Sequence, residues 1–197
     1  MYDPNLNTWS TVAPIPTARY SFAAAVCNGK VYVMGGRTAN NQIAPVEEYN
    51  PQTNSWTVKA QMPTPRTGFQ AHELNGAIYA VGGYDNSGSA LLTVVEVFNP
   101  STNVWSTSTP LPQPALFFGL AKAHDRLFLD GDIVSGSGVS EIILQYDPQN
   151  TTWYTKWSST SSRRGVDAIA IANKIFVLGG ISSGAILNSN TKITVLP

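Results

Sequence analysis

Val31-Tyr32-Val33-Met34-Gly35-Gly36 is a strand-sized apolar run that ends in a double glycine, and it decides the fold because the chain repeats it. Ile78–Gly83 and Ile175–Gly180 are two further copies of this pattern. A damaged copy, Leu127–Asp132, has Asp130-Gly131-Asp132 in place of the last apolar residue and the two glycines. This recurrence predicts a protein built from four copies of one structural unit.

Tryptophan marks the same period independently of glycine. Four tryptophans recur at intervals of 47, 49 and 48 residues: Trp9, Trp56, Trp105 and Trp153. Each follows an aromatic-Asx-Pro sequence, which ends a strand because proline removes a ladder donor and the Asx side chain bonds its own backbone. Asn28-Gly29 and Asn75-Gly76 separate apolar runs, a strong local signal for a β-hairpin. Each period therefore predicts four short antiparallel strands, and no stretch shows helical periodicity.

The full pattern resembles the kelch repeat. It consists of Arg, small apolar residues, Asn-Gly, an apolar strand, Gly-Gly, a variable loop, Val-Glu, a Tyr-Asx-Pro turn and Trp, and it covers essentially the whole chain. Kelch repeats are blades of β-propellers, so the resemblance implies an all-β fold with four antiparallel strands per blade. Physical reasoning agrees, because one four-stranded sheet cannot cover both of its faces and stacking against neighbouring blades buries them.

The predicted fold is one domain over residues 1–197, a four-bladed kelch-type β-propeller. Its units span approximately residues 18–61, 65–110, 114–158 and 162–197, with residues 1–13 added to the last. The chain starts with a fourth strand and ends with the first three strands of a unit. We therefore expect the N-terminal outer strand to join the C-terminal blade and close the ring as a monomer. The alternative is a fragment of a larger propeller, which would assemble as a homo-oligomer.

Composition restricts the classes of function. Lys+Arg and Asp+Glu both number 12, so the formal net charge is zero. Faces that bind nucleic acid or membrane surfaces are usually strongly basic, so we predict neither partner. No apolar run approaches the ~18 residues of a membrane span, and the N-terminus lacks a signal-peptide pattern. Cys27 is the only cysteine, which excludes an internal disulfide and a metal site built from several cysteines.

The loops between the second and third strands of each blade indicate the binding face. In a propeller they share a face with the loops between blades, and here they are long and rich in Gly, Ser and Asn: residues 37–44, 84–92, 132–140 and 181–191. Function on a rigid scaffold tends to lie on its longer loops. We therefore place ligand binding on this long-loop face.

Arg19, Arg66 and Arg163 share one register, and Ala115 takes that place in the third unit. This arginine belongs to the kelch pattern and would begin the innermost strand at the mouth of the central channel. Three guanidinium groups there would bind a carboxylate, a phosphate or an acidic peptide through forked hydrogen bonds. Alternatively, each arginine pairs with a carboxylate or caps carbonyl groups between blades, as a residue that recurs with a repeat more often does.

Further candidates for ligand binding lie near the same face. Arg37 and Arg164 have no matching copies in the other units, and Tyr84 begins the second long loop. Asp167 lies on an innermost strand near Arg163 and Arg164, where an ion pair is the usual role of a carboxylate and a general acid or base is the rarer one.

The remaining polar residues form no catalytic or metal-binding pattern. Asp130 and Asp132 could hold a cation or pair with a nearby arginine, although drift of the repeat is the more usual explanation for such a copy. His72 and His124 occupy different registers, which predicts a strand residue and a turn residue rather than a ligand pair. We therefore predict no metal, no cofactor and no catalytic residue.

Three interpretations of function remain. The first is a non-catalytic scaffold that presents a rigid loop face to a protein or peptide ligand, including acidic ones. The second is an enzyme resembling the kelch-like sugar-acid isomerases or lyases, for which Asp167 is the one candidate. The third is an excised or engineered propeller piece without an independent function. Kelch-like copper oxidases need several histidine ligands and a Tyr-Cys cross-link, which the two unpaired histidines here do not match.

Overall fold

The computed structural model describes residues 1–38, 45–85, 90–135, 138–139, 142–158 and 162–195. These residues form antiparallel strands and turns, with no helix among them. Within the same ranges, no helix is therefore long and apolar enough to cross a membrane.

Four sheets follow one another along the chain as the blades of a propeller, after a short N-terminal hairpin of β1 (Tyr2–Asp3) and β2 (Thr8–Trp9). Blade 1 contains β3 (Ala23–Cys27), β4 (Lys30–Met34), β5 (Val46–Asn50) and β6 (Ser55–Lys59). Blade 2 contains β7 (Gln70–Leu74), β8 (Ala77–Val81), β9 (Val95–Asn99) and β10 (Val104–Thr107). Blade 3 contains β11 (Gly119–Ala123), β12 (Arg126–Asp130), β15 (Ile142–Asp147) and β16 (Thr152–Ser158). Blade 4 contains β17 (Asp167–Ile171), β18 (Lys174–Leu178) and β21 (Asn190–Thr194).

Two long loops carry short hairpins of their own. The loop of blade 3 contains β13 (Val134–Ser135) paired with β14 (Gly138–Val139), and the loop of blade 4 contains β19 (Ile181–Ser182) paired with β20 (Ala185–Ile186). Most of the long loop of blade 1 and the middle of that of blade 2 lie outside the described residues. The all-β, four-bladed arrangement predicted from the repeat is confirmed.

Turn chemistry explains why each blade starts with a tight hairpin. Asn28 and Gly29 have φ values of 51° and 73°, as both central positions of a two-residue hairpin turn require. In blade 3 the same turn is made by His124 and Asp125, with φ values of 48° and 54°. Both are residue types that tolerate the left-handed region better than most. The expectation that His124 is a turn residue is therefore confirmed.

The hydrophobic core lies between the blades rather than within each blade. One cluster joins blades 1 and 2 around Tyr32, Met34 and Phe98, and a second joins blades 2 and 3 around Phe118 and Leu127. A third cluster joins blades 3 and 4: Ala121, Ala123, Phe128, Val166, Ile175, Val177 and Val195. Each blade thus depends on its neighbour to cover its apolar face.

The double glycine allows these blades to approach one another. A Cβ atom on Gly35 would lie 2.7 Å from the carbonyl oxygen of Arg66, so a side chain there would push blades 1 and 2 apart. The next residue, Gly36, has φ of 95° and donates its N–H to that same carbonyl at 3.0 Å. The motif that decides the fold therefore acts at the junction between blades.

Two backbone hydrogen bonds recur at each junction. In the first, an N–H donates to the carbonyl oxygen of a residue in the following blade: Gly36 to Arg66, Gly83 to Ala115, and Asp132 to Arg163. In the second, around the channel mouth, an N–H donates to the carbonyl oxygen of a residue in the preceding blade: Gly68 to Ser21, Phe117 to Gly68, and Gly165 to Phe117. Every residue of the second series has a positive φ, between 47° and 65°. The three junctions are thus built on one plan.

The predicted closure of the ring by the chain ends is wrong for the described residues. The N-terminal hairpin forms a two-stranded sheet by itself, and β21 pairs only with β18. Both recurring junction bonds stop at blades 1 and 4, with no pair between these two blades in the described part of the chain. Tyr2 and Trp9 instead pair with each other, with ring centroids 5.2 Å apart. The hairpin satisfies its own backbone groups, so local pairing competes with the exchange of strands.

Candidate functional site

The arginines at the predicted channel mouth are buried inside the blades. The side chain of Arg19 is 0% exposed, and its guanidinium forms an ion pair with Glu47 at 2.5 Å. It also donates to the carbonyl oxygens of Gly35 and Pro45 at 3.0 and 2.9 Å. Burial lowers the pKa of Arg19, and the charge of Glu47 opposes that shift. Arg19 thus ties the Gly-Gly turn to the third strand of its blade.

Arg66 repeats this arrangement in blade 2. It is 0% exposed, pairs with Glu96 and donates to the carbonyl oxygens of Gly82 and Val94 at 3.1 and 2.9 Å. A threonine two residues earlier, Thr64, donates its hydroxyl to Glu96 at 2.8 Å. The buried carboxylate therefore has both a charged and a neutral donor.

Blade 3 lacks both members of the pair. Ala115 takes the place of the arginine, and Leu144, opposite Leu129 in the ladder, takes the place of the glutamate. Both residues are 0% exposed and belong to the same apolar cluster. Replacing a buried ion pair as a unit by apolar residues leaves no uncompensated charge, which explains why the blade still packs.

Blade 4 keeps the arginine but not its carboxylate. Arg163 is 0% exposed and donates to the hydroxyl of Thr191, the residue at the glutamate register. The carboxylate comes from the preceding blade, since Asp130 lies 3.7 Å from Arg163. Of the alternatives considered for the damaged copy, pairing with an arginine is therefore the one that the structure shows for Asp130. Two nitrogens of Arg163, Nε and Nη1, have no hydrogen-bond partner among the described residues.

Arg19, Arg66 and Arg163 therefore form ion pairs within the protein, which was the alternative to binding a ligand. Each side chain is 0% exposed and pairs with a carboxylate of its own or the preceding blade, and none presents its guanidinium at the channel mouth. Recognition of an anionic ligand by a ring of Arg19, Arg66 and Arg163 would require their ion pairs to break first. The remaining four candidates lie elsewhere.

Arg37 and Tyr84 meet at the channel mouth on the long-loop face. They line a cavity of about 230 Å³, which we call the mouth site: Tyr20, Ser21, Arg37, Thr67, Tyr84 and Phe117. Short β-bridges hold its rim, because Tyr20 pairs with Arg37 and Thr67 pairs with Tyr84. The site therefore straddles blades 1, 2 and 3.

The mouth site combines one guanidinium with three aromatic rings. Tyr20 and Phe117 are 55% and 44% exposed, and Tyr84 packs edge-on against Phe117 with centroids 6.5 Å apart. Arg37 is partly exposed and has no carboxylate partner among the described residues, unlike the three buried arginines. Arginine, tyrosine and phenylalanine with exposed faces are the residue types enriched in protein-binding sites.

Sequence reasoning missed Tyr20 and Phe117. Phe117 has φ of 47° at a register where blades 2 and 4 have Gly68 and Gly165. A bulky residue in the left-handed region is uncommon and strained. A phenylalanine at a register that favours glycine was therefore the sequence signal that could have identified Phe117 as a candidate site residue.

Arg164 lies in a separate, smaller cavity of blade 4, together with Ser162, Ile181 and Ser182. Burial raises the pKa of Asp132, and the charge of Arg164 partly offsets that shift. Arg164 is therefore close enough to stabilise the ionised form of Asp132. The structure does not bring it together with Arg37.

Asp167 lines the central channel, a cavity of about 530 Å³ bounded by the innermost strands of all four blades. His72, Lys122 and Glu73 contribute to the same wall, and Lys122 pairs with Glu73 at 2.7 Å. Asp167 accepts the N–H of Ala168 at 2.9 Å. No group of three or more His, Cys, Asp and Glu side chains in the described ranges is arranged to hold a metal ion.

Glu48 and Cys27 of blade 1 also have shifted pKa values. Burial alone would raise the pKa of Glu48, but hydrogen bonds from Lys30 and Tyr32, with the charge of Lys59, hold it below its usual value. Burial raises the pKa of Cys27, whose thiol is a free cysteine at 2% exposure. Cys27 therefore packs in the core.

Comparison with known proteins identifies the repeat. The family model for the KLHDC2/KLHL20/DRC7 Kelch-repeats domain matches residues 1–180. Similar curated proteins include an F-box/kelch-repeat protein of Arabidopsis thaliana, 49% identical over 41 residues, and mouse Kelch-like protein 35, 54% identical over 35 residues. Human Kelch-like protein 31 is 44% identical over 48 residues. These matches cover 21%, 18% and 24% of this chain but only 11%, 6% and 8% of the relatives, so each amounts to about one repeat.

A solved structure, that of YjhT, shares the fold. It superposes with a TM-score of 0.75 at 20% sequence identity. The superposition covers 88% of this chain and 63% of YjhT. The likeness therefore concerns the arrangement of the blades and does not extend to the chemistry of the site.

Proposed function

Since the chain belongs to the kelch-repeat family, we propose that it is a non-catalytic binding module that presents its long-loop face to a protein or peptide ligand. Kelch-repeat propellers commonly act as protein-interaction modules. The observation that carries the proposal is the mouth site, where an arginine without an ion-pair partner in the described part of the chain lies among exposed aromatic rings.

The chemistry of the mouth site favours an acidic ligand. The guanidinium of Arg37 offers a planar set of donors to a carboxylate, and no carboxylate among the described residues forms an ion pair with it. The rings of Tyr20 and Phe117 offer apolar surface for the residue next to that carboxylate. An acidic side chain beside an apolar one in a peptide satisfies both requirements.

The site also has the rigidity that binding requires. Its residues are held by β-bridges and by the backbone bonds around the mouth, including Phe117 N–H to Gly68 at 3.0 Å. A preformed site loses little conformational entropy when a ligand binds. The cavity of about 230 Å³ is small, so it would accommodate one or two side chains of a larger partner.

Two pools of fluorescein-labelled peptides test the proposal, one with Asp and Glu at its variable positions and one with Asn and Gln. Fluorescence polarisation should show tighter binding of the acidic pool, and Arg37→Ala should weaken that binding at least about tenfold. The matched control is Arg126→Ala, which removes the same charge on the opposite face, where Arg126 lines a different cavity.

Two outcomes contradict the proposal. One is that the acidic pool binds no better than its neutral counterpart, and the other is that Arg126→Ala weakens binding as much as Arg37→Ala does. Turnover of a small molecule by the purified protein would contradict the non-catalytic part independently.

A further inference from the structure

We propose that the small cavity of blade 4 binds a phosphoryl group, either as a free phosphate ion or as a phosphorylated side chain of a partner. The cavity has a volume of about 160 Å³, and we call it the blade 4 site. Its lining includes two arginines, three serines and a glycine: Arg163, Arg164, Ser162, Ser182, Ser183 and Gly184. None of these residues lines the mouth site, so the two sites can be tested separately.

Arg163 brings buried donors that the protein leaves unpaired. Its side chain is 0% exposed, and its Nε and Nη1 atoms have no hydrogen-bond partner among the described residues. Buried polar groups in native proteins are nearly always hydrogen-bonded, and a bound ion is one of the ordinary explanations for an exception. The unpaired nitrogens of Arg163 are therefore the observation that points to a ligand.

The other blades show which bonds the Nη1 atom makes when the arginine serves its own blade alone. Nη1 of Arg19 and Nη1 of Arg66 each donate to two carbonyl oxygens of their own blade. In blade 4 the same registers belong to Gly179 and Ser189, and neither carbonyl accepts from Nη1 of Arg163. Because each of these acceptors lies in the arginine's own blade, the unpaired donor is a property of blade 4 itself.

Arg164 and the loop hairpin complete the blade 4 site. Arg164 is exposed, and its backbone pairs with Ile181 through hydrogen bonds of 3.1 and 2.9 Å. Ser183 and Gly184, with φ values of 47° and 80°, form the two-residue turn of this hairpin. The hydroxyl groups of Ser182 and Ser183 can act as neutral donors beside the two guanidinium groups.

The charges around the blade 4 site favour an anion. Asp130 lies 3.7 Å from Nη2 of Arg163, the nitrogen that donates to Thr191, and it forms no hydrogen bond with Nε or Nη1. Burial raises the pKa of Asp132 and so favours its uncharged form, although the charge of Arg164 opposes that shift. Neither aspartate lines the cavity. Two guanidinium groups therefore border a space that no carboxylate of the described residues lines.

A phosphoryl group matches this set of donors better than a carboxylate does. It carries up to two negative charges and three strong acceptor oxygens, whereas a carboxylate has one charge and two oxygens. Hydrogen bonds from arginine to phosphate are also among the strong, charge-assisted ones. Sites for drug-sized ligands have volumes of about 300–1,000 Å³, so a cavity of about 160 Å³ admits only a small group.

Isothermal titration calorimetry with inorganic phosphate tests the proposal, with acetate and chloride at equal ionic strength as reference titrants. Phosphate should bind at least about tenfold more tightly than acetate, and Arg164→Ala should raise the Kd of phosphate at least about tenfold. Ser182→Asp should have the same effect, because it introduces a carboxylate into the cavity. Arg37→Ala is the matched control, since it removes an arginine of the mouth site and should leave the Kd of phosphate unchanged.

A peptide with one phosphoserine in an otherwise uncharged sequence separates the two sources of the phosphoryl group. It is titrated into the Arg37→Ala protein, so that the mouth site does not contribute, beside its unphosphorylated counterpart. Tighter binding of the phosphopeptide than of inorganic phosphate would assign the group to a partner, and equal or weaker binding would assign it to the free ion. Three results would overturn the proposal: phosphate binding no tighter than that of acetate, an Arg37→Ala effect as large as that of Arg164→Ala, or an unchanged Kd in both Arg164→Ala and Ser182→Asp.

Discussion

The buried pair of Arg66 and Glu96 gives a quantitative test of how the blades are held together. Its two side chains are 0% and 2% exposed, and Arg66 also donates to the carbonyl oxygens of Gly82 and Val94. Blade 3 has Ala115 and Leu144 at these registers and still folds. The relevant experiment is therefore a double-mutant cycle that installs the blade 3 pair in blade 2, Arg66→Ala with Glu96→Leu.

The magnitudes follow from which groups are left without partners. Either single change leaves one buried charge uncompensated, which costs about 3–5 kcal/mol of unfolding free energy. If the two effects were independent, the double variant would lose about 6–10 kcal/mol. We expect it to lose about 1–3 kcal/mol, because no charge remains and the residual cost is that of two carbonyl groups without their donor. For a chain of this length, the single changes should lower Tm by about 6–20 °C and the double change by about 2–12 °C.

Urea denaturation followed by tryptophan fluorescence measures the four free energies, and scanning calorimetry measures Tm. Arg37→Ala is the control, because it removes an arginine that is partly exposed and unpaired among the described residues, and it should change stability by no more than about 0.5 kcal/mol. Additive losses in the double variant would refute the reasoning, as would an Arg66→Ala protein as stable as the Arg37→Ala control.

Three further predictions concern other buried groups. Asp130→Leu should destabilise the protein by about 3–5 kcal/mol in urea denaturation, since it removes the carboxylate beside Arg163; adding Thr191→Glu should restore much of the loss, and no restoration would contradict this account. Cys27 should react with a thiol reagent only as fast as the protein unfolds, because the thiol is buried and its pKa is raised; labelling at the rate of a free thiol in native protein would show otherwise. The lowered pKa of Glu48 means that its contribution to stability is present above the ordinary glutamate pKa of about 4.3 and is lost as pH falls through the lower folded-state value. Thermal unfolding of Glu48→Gln should therefore depend less on pH below about 4.3 than that of the parent, and an unchanged dependence would exclude this group.

The repeat made the architecture predictable because its signals are local and recur in register. Asn28-Gly29 requires positive φ at both positions, and Gly35-Gly36 requires close approach of the next blade, so each specifies a turn or a junction without knowledge of the rest. Closure of the ring is a different kind of property. It depends on the angle between blades summed over the arc and on the competition from the local hairpin at Tyr2 and Trp9, and neither is encoded in one repeat.

The candidate site was less predictable because a single residue does not reveal its partner. Arg19 is separated from Glu47 by 28 residues, and its burial follows only when the strands of the blade are assembled into one sheet with the second strand between the first and the third. A signal was nevertheless present in the chain, since Ala115 and Leu144 replace the arginine and the glutamate together. Arg37 and Tyr84 begin equivalent loops, so their proximity at the mouth followed from the register.

The position of the core between blades has a consequence for local unfolding. Blades 2 and 3 are covered on both sides, whereas blades 1 and 4 are each covered on one. In a linear array whose units depend on their neighbours, opening begins at the ends and spreads inward. Backbone amides of the two central sheets should therefore exchange with deuterium most slowly, and protection should decline toward both termini even though the four blades share one sequence pattern.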